Sequence, residues 1–518
     1  MDNYIKIEAG GARIRDLLCD RQSVTDVTGD FSLPDYQPEV KRLLRVTATV
    51  SPPDKYIGAG NVDLSGMIDY CILYAGNDGA LYSVTQGQEY QISIPLERTS
   101  EFELGDGLVC DVDVASDMVT GRVLAPRKLS VKCRLRSHAR FYGTRYLEES
   151  ISGGGENGIE RLRGSAECAR IFVGLGEPLQ LGDEIICESQ DDDLRVISAE
   201  GQVFVTEAVA GSGCVNCRGE VSLKLLCAHE GMTGADAVKT FWRRIPFAQA
   251  VSVDGTEVNC DACAHGVCSD INVTVEDGRI LCELGIRLTA RAARNEVVPY
   301  TRDVYSTTSK CESRYRTGTL PVAGKCRVGN FSLGTTLSLE EAGIRAGLDL
   351  VDVSAFPTVT AMEIEKGKTL LTGKCRIHAI LFGEELVAQE FEVPFRYETE
   401  ALLCDGEKLC DYHATVAAIS CKTRLDGERI GVDAELAVSL FARSEKEIRM
   451  LTDASFGEAI PRSDATYTIC YPSREDTLWS VAKRYNRPVS VIFERNGLSG
   501  APAADSLESL AGVNYLLV

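Results

Sequence analysis

Along most of the chain apolar and polar residues alternate, which is the period of strands with one buried face. Three segments define the pattern, each built around a glycine: Val62 to Ile72 with Gly66, Gly219 to Cys227, and Leu371 to Leu381 with Gly373. The glycines lie 153 and 154 residues apart. A later strand recurs at the same interval. Its one-faced residues are Leu129, Val131, Cys133 and Leu135 in the first copy. They are Ile280, Cys282, Leu284, Ile286 and Leu288 in the second, and Ile430, Val432, Ala434, Leu436, Val438 and Leu440 in the third. Between the two landmarks sits a Cys-Asp pair: Cys110-Asp111, Cys260-Asp261 and Cys410-Asp411. Three landmarks in one order predict three tandem β-rich domains, sandwich- or barrel-like, each with two-faced sheets. The period exceeds that of solenoids and propellers.

The C-terminal residues follow a different rhythm. Tyr467 to Tyr471 alternates as a short strand. Asp476 is placed to cap a helix whose apolar face is Leu478, Val481, Ala482 and Tyr485. A second helix fits Val489 to Asn496, with Asn496-Gly497 as its left-handed end, and Val513 to Val518 closes as a strand. This is a small α+β module ordered strand, helix, helix, strand. One face of so short a helix must be buried, so Trp479 and Tyr485 are expected to pack rather than to hold a ligand.

The expected organisation is a lead segment at 1–33, repeats at 34–145, 179–294 and 346–445, and the module at 466–518. The Gly-rich polar stretch in 146–178 reads as a linker, 295–345 as a connector, and 446–465 as a second linker. At roughly 150 residues per domain, 518 residues suit three or four domains.

Composition narrows the function. Acidic residues number 76 against 55 basic, and the net charge of −21 argues against nucleic-acid or anionic-membrane binding, since phosphates would be repelled. No run of about 18 apolar residues is present, so no transmembrane insertion is expected. No apolar stretch follows a basic start, so no secretory leader is expected either. The twenty cysteines then read mainly as reduced, small, buried residues.

Candidate chemistry is sparse. Gly367-Lys368-Thr369 lacks the preceding glycine of a phosphate loop, because Met362 stands there. Cys214, Cys217, Cys260 and Cys263 form two Cys-x-x-Cys pairs in one repeat, a donor set that suits zinc. Against this, the pairs are widely spaced, and Cys260 has counterparts in Cys110 and Cys410 that lack a second pair. The expectation is therefore no cofactor, with zinc as the alternative. His138 is out of phase with its strand's apolar residues and is expected to face solvent.

Two stretches resemble known families. Asp476-Thr477-Leu478-Trp479 through Tyr485-Asn486, with Asn496-Gly497-Leu498 and the Tyr515-Leu-Leu-Val ending, is similar to a LysM domain. The resemblance implies a ligand groove formed by Ser473, Arg474, Glu475, Asp476, Thr477 and Leu478 on one side. Asn496, Gly497, Leu498 and Ser499 would form the other. In that family the groove holds N-acetylglucosamine chains of peptidoglycan. Here Glu475 replaces a common glycine, and the final proline is replaced by Val518. The opening of the first repeat, Leu33-Pro-Asp35-Tyr-Gln-Pro38-Glu39 to Val46, resembles a SPOCS domain. The second and third repeats lack that opening. Tandem SPOCS-like repeats with a C-terminal LysM resemble the SipL-like family of spore-coat morphogenetic proteins. This resemblance implies a non-enzymatic scaffold of the mother-cell cytoplasm, recruited to the forespore surface. Its expected partners are a coat morphogenetic ATPase, engaged through the LysM, and other coat proteins. The alternative is a peptidoglycan-binding protein of wall or cortex.

Overall fold

The chain is mainly β, with a small α+β region at its C-terminus, in a computed structural model. It describes residues 6–8, 12–58, 60–96, 102–103, 108–147, 150–152, 158–186, 194–229, 232, 234–276, 278–461, 468–498, 510 and 513–518.

Each repeat contributes six principal strands to two antiparallel sheets. In the first repeat the second, third and fourth strands, Val40–Val50, Asn61–Gly76 and Leu81–Pro95, form one sheet. The first, sixth and fifth, Ala12–Ser32, Lys128–Leu147 and Val109–Ala125, form the other. The second repeat sets Leu194–Gly211, Cys214–His229 and Val238–Ser252 against Ile159–Leu175, Arg279–Ser306 and Asp261–Glu276. The third sets Asp349–Glu365, Lys368–Phe382 and Leu386–Glu400 against Ser309–Ser338, Arg429–Ala459 and Leu409–Asp426. The alternating residues of the third and sixth strands fill the space between the sheets, giving each repeat its own buried cluster. Pro52-Pro53 interrupts the second strand of the first repeat, because proline offers no ladder donor. The other two repeats run through the same place with a bulge at Thr206 or Thr360.

The shared glycine has a packing reason. Gly66, Gly219 and Gly373 pair across the sheet with Tyr90, Phe247 and Phe395. Each aromatic ring lies over the glycine, so an added Cβ would stand 2.3–2.8 Å from it.

The expected boundaries need correction. The lead segment, the 146–178 linker and the 295–345 connector carry the first strands Ala12–Ser32, Ile159–Leu175 and Ser309–Ser338. Residues 446–459 prolong the last strand of the third repeat. Among the described residues these first strands pair on one side only, and in the first and third repeats much of their length is half-buried against exposed, so the contrast that marks a strand is weak there.

The repeats join around a common centre. Each second strand carries a bulge at an equivalent place, leaving Leu44, Ile197 and Val351 unpaired in the ladder. A bulge re-aims a side chain. These three meet Leu73, Leu226 and Ile380 from the third strands in one apolar cluster drawn from all repeats.

Candidate functional site

The C-terminal module has two helices, α1 (Leu478–Tyr485) and α2 (Val489–Arg495), and a two-stranded ladder of Ile469–Cys470 with Leu516–Leu517. The expected cap moves by one residue. Thr477 is the N-cap of α1, its hydroxyl accepting from the Ser480 amide while the Ser480 hydroxyl accepts from the Thr477 amide. Asp476 instead ties the groove loop together. It accepts from the Ser473 amide at 2.8 Å and from Arg484 Nη2 at 2.5 Å. These contacts hold its carboxyl down at about 2, the Ser473 amide first and Arg484 next. Gly497 is left-handed as expected (φ 58°), whereas Asn496 is not (φ −99°). Asn496 works through its side chain, which bonds both the amide and the carbonyl of Leu517 and so fixes α2 to the terminal strand.

The structure thus brings the two proposed groove walls onto one module. Ser473, Arg474, Glu475 and Gly497 are exposed, Thr477, Asn496 and Leu498 are half-buried, and Asp476 and Leu478 are buried. Ser499 lies outside the described residues.

Trp479 packs as expected, but partly against a different domain. Its ring meets Tyr305 edge-on at 4.9 Å between centroids, and its Nε1 donates to Asp303 at 2.9 Å. Lys483 Nζ reaches both Asp303 oxygens at 2.6 and 2.8 Å, and Tyr305 donates to the Arg487 carbonyl at 2.7 Å. Burial opposes the charge on Asp303, yet Lys483, Tyr315 and Trp479 together hold its carboxyl below the usual range. Asp303 and Tyr305 lie on the last strand of the second repeat. The reading of the sequence missed them. The Tyr-rich run at 298–315 was the available signal, since exposed connectors seldom carry so many rings.

At the centre of the repeats two buried charge clusters join all three. In one, Arg45 of the first repeat contacts Glu200 of the second at 2.6 Å and Asp352 of the third at 2.8 Å, and Lys224 reaches Asp352 at 2.6 Å. In the other, Arg291 of the second repeat donates to Asp111 at 2.9 Å and to both Asp113 oxygens at 2.8 Å. Arg140 of the first repeat donates to Asp411 of the third at 2.9 Å. Asp113 also meets His413 Nδ1 at 3.0 Å and His265 Nε2 at 3.5 Å. Arg291 Nη1 lies 3.1 Å from His265 Nδ1. As a guanidinium can only donate, that nitrogen is unprotonated and the neutral ring carries its proton on Nε2. Burial, then the Arg291 charge, pushes His265 down to about 3. Asp113, Arg140, His265, Asp411 and His413 border a cleft of about 680 Å³ on which residues of all repeats converge, among them Gln22, Gln202 and Thr360. His138 borders it too. It is only part-exposed and bonds Asp20 at 2.7 Å, contrary to the expectation that it faces solvent.

The four cysteines considered for zinc do not gather. Cys217 and Cys260 belong to the core of the second repeat, whereas Cys263 lies in a cluster between repeats. Among the described residues, the group with metal-like spacing is Asp113, His265 and His413. There the Arg291 guanidinium already serves as the cation of the carboxylate and occupies the second His265 nitrogen. The geometry is that of an ion-paired network on the wall of the cleft, in which His413 Nε2 is buried without a hydrogen-bond partner. Among the described residues, no helix is long and apolar enough to cross a membrane.

No protein-family model, curated protein or solved structure matches the chain. What the fold defines is a class: a mainly β protein of three repeats with a docked α+β module.

Proposed function

We propose that the chain is a non-enzymatic scaffold of endospore coat assembly. On this reading it acts in the mother-cell cytoplasm at the forespore surface, and its C-terminal module docks a coat morphogenetic ATPase. The observation that carries the proposal is the division of the module into two faces. The Trp479 and Lys483 face of α1 is engaged by Asp303 and Tyr305, while Ser473, Arg474, Glu475 and Gly497 stay exposed for a partner. A charged loop suits a protein surface better than a sugar ring, which needs close approach to backbone where Glu475 stands. Among the described residues the fourth strands of the repeats pair on one side only, which supports strand addition as the route to other coat proteins. Removal of residues 466–518 is expected to abolish forespore localisation, and a truncated chain that localises normally overturns the proposal.

A second reading, binding of N-acetylglucosamine chains, is favoured by Tyr471 and Tyr515. Both are exposed, at 76% and 56%, and Tyr471 adjoins the groove loop, where rings could stack on sugars.

A further inference from the structure

Each fifth strand skips one residue against the sixth, at Asp117, Ser269 and Ile419. Asp113, His265 and Thr415 stand at one level, each four residues before its bulge. All three line the central cleft, as do Gln202 and Thr360 of the second strands. Three copies of one fold thus reach a common cavity and furnish it with different groups: a carboxylate, an imidazole and a hydroxyl. Small-molecule sites are commonly clefts of roughly 300–1,000 Å³ with a few convergent polar groups. This cleft, at about 680 Å³, has that size and that lining.

Two features define what it would hold. The first is charge. With the imidazoles neutral, the charged residues of the lining are Asp113, Asp411, Arg136 and Arg140, which cancel. Each already has a partner: Arg291 for Asp113, Arg140 for Asp411, and Asp117 for Arg136. A metal ion or an anion would have to break one of these pairs. The second is His413. Its Nδ1 faces the Asp113 carboxylate at 3.0 Å and so carries the proton. In the neutral ring Nε2 is then an acceptor. It is buried without a hydrogen-bond partner, in a residue only 7% exposed. A buried acceptor of this kind calls for an N–H or O–H donor.

We propose that the cleft where the three repeats meet binds a neutral polyhydroxylated ligand, the size of one or two sugar rings, with one hydroxyl donating to His413 Nε2. Gln202, Thr360 and Thr415 each offer both a donor and an acceptor, which is what adjacent hydroxyls need. Val114, Val267, Val359 and Val416 are half-buried on the same walls and suit the C–H faces of such a ring. The site is separate from the C-terminal module, so it stands or falls independently of what that module docks.

The test titrates the full chain with glucose, myo-inositol and maltose by isothermal calorimetry, with zinc chloride and inorganic phosphate as separate arms. The expected result is saturable binding of at least one of the three polyols, with a Kd below about 1 mM. Binding should weaken about tenfold or more in His413→Phe, which keeps a ring but removes the acceptor, and in Gln202→Ala. Circular dichroism checks that both variants fold. Gln202 is uncharged and outside the ion pairs, so that variant decides the matter if His413→Phe does not fold. A Tyr471→Ala, Tyr515→Ala double variant should bind as the parent does, and loss of binding there would place the sugar on the module and overturn the proposal. So would no binding of any of the three polyols, binding unchanged in the cleft variants, or binding of zinc or phosphate in their place.

Discussion

Arg45 and Asp352 stand 307 residues apart in the chain, and their side chains meet at 2.8 Å with both almost wholly buried. The pair ties the first repeat to the third. Burial opposes the charge on Arg45, but Glu200 and Asp352 more than offset it and hold the guanidinium charged. Arg45→Met should therefore cost about 3–5 kcal/mol, because Asp352 and Glu200 keep buried charge without their shared partner. Arg134 pairs with Asp26 at the surface, so Arg134→Met should leave stability almost unchanged. Urea unfolding of both variants checks the contrast.

The shared glycines should differ in tolerance. A Cβ on Gly373 would lie 2.4 Å from the Thr358 carbonyl, and one on Gly219 would lie 2.2 Å from that of Phe204. Its nearest neighbours at Gly66 are Tyr90 side-chain atoms, which can turn away. Gly219→Ala and Gly373→Ala should each destabilise by about 1–3 kcal/mol, and Gly66→Ala by less. Thermal unfolding of the three variants gives the order.

Asp303→Asn should loosen the C-terminal module without unfolding the repeats. It removes the counter-charge of Lys483 and should weaken docking by about 1–3 kcal/mol. Limited proteolysis should then cut between the repeats and the module sooner than in the parent chain, while amide exchange in the third strands stays unchanged.

Acid should act on the module through Asp476. Its folded-state pKa, about 2, lies below the unfolded value of about 4, so the stabilisation is present above pH 4 and drains as pH falls toward 2. Trp479 emission, read in a Trp242→Phe background, should report a transition in that window. In Asp476→Asn the transition should flatten.

How much of this was written in the sequence depends on distance along the chain. The buried faces of the third and sixth strands were legible because period-two alternation is local. The first strands of the first and third repeats were not, because among the described residues they pair on one side and stay half-exposed over much of their length. The central apolar cluster had a readable trace. Ile72 to Ala75, Leu225 to Ala228 and Ala379 to Phe382 abandon alternation for continuous apolar runs, the mark of strands buried on both faces. Of the charge clusters only the recurring Cys-Asp landmark was visible, which supplies Asp111 and Asp411; their pairing with Arg291 and Arg140 arises only after three repeats close on each other. In the module the helices and Gly497 were legible. The cap at Thr477 rather than Asp476 turned on a reciprocal bond with Ser480, which residue type alone does not decide.

The most direct measurement is a paired binding assay on the full chain, compared with a chain ending at residue 465. One arm retains the proteins on an immobilised coat morphogenetic ATPase, and the other sediments them with purified peptidoglycan. The account predicts that the full chain is retained on the ATPase, that truncation abolishes retention, and that neither chain sediments. Sedimentation of the full chain with peptidoglycan, with no retention on the ATPase, would contradict it.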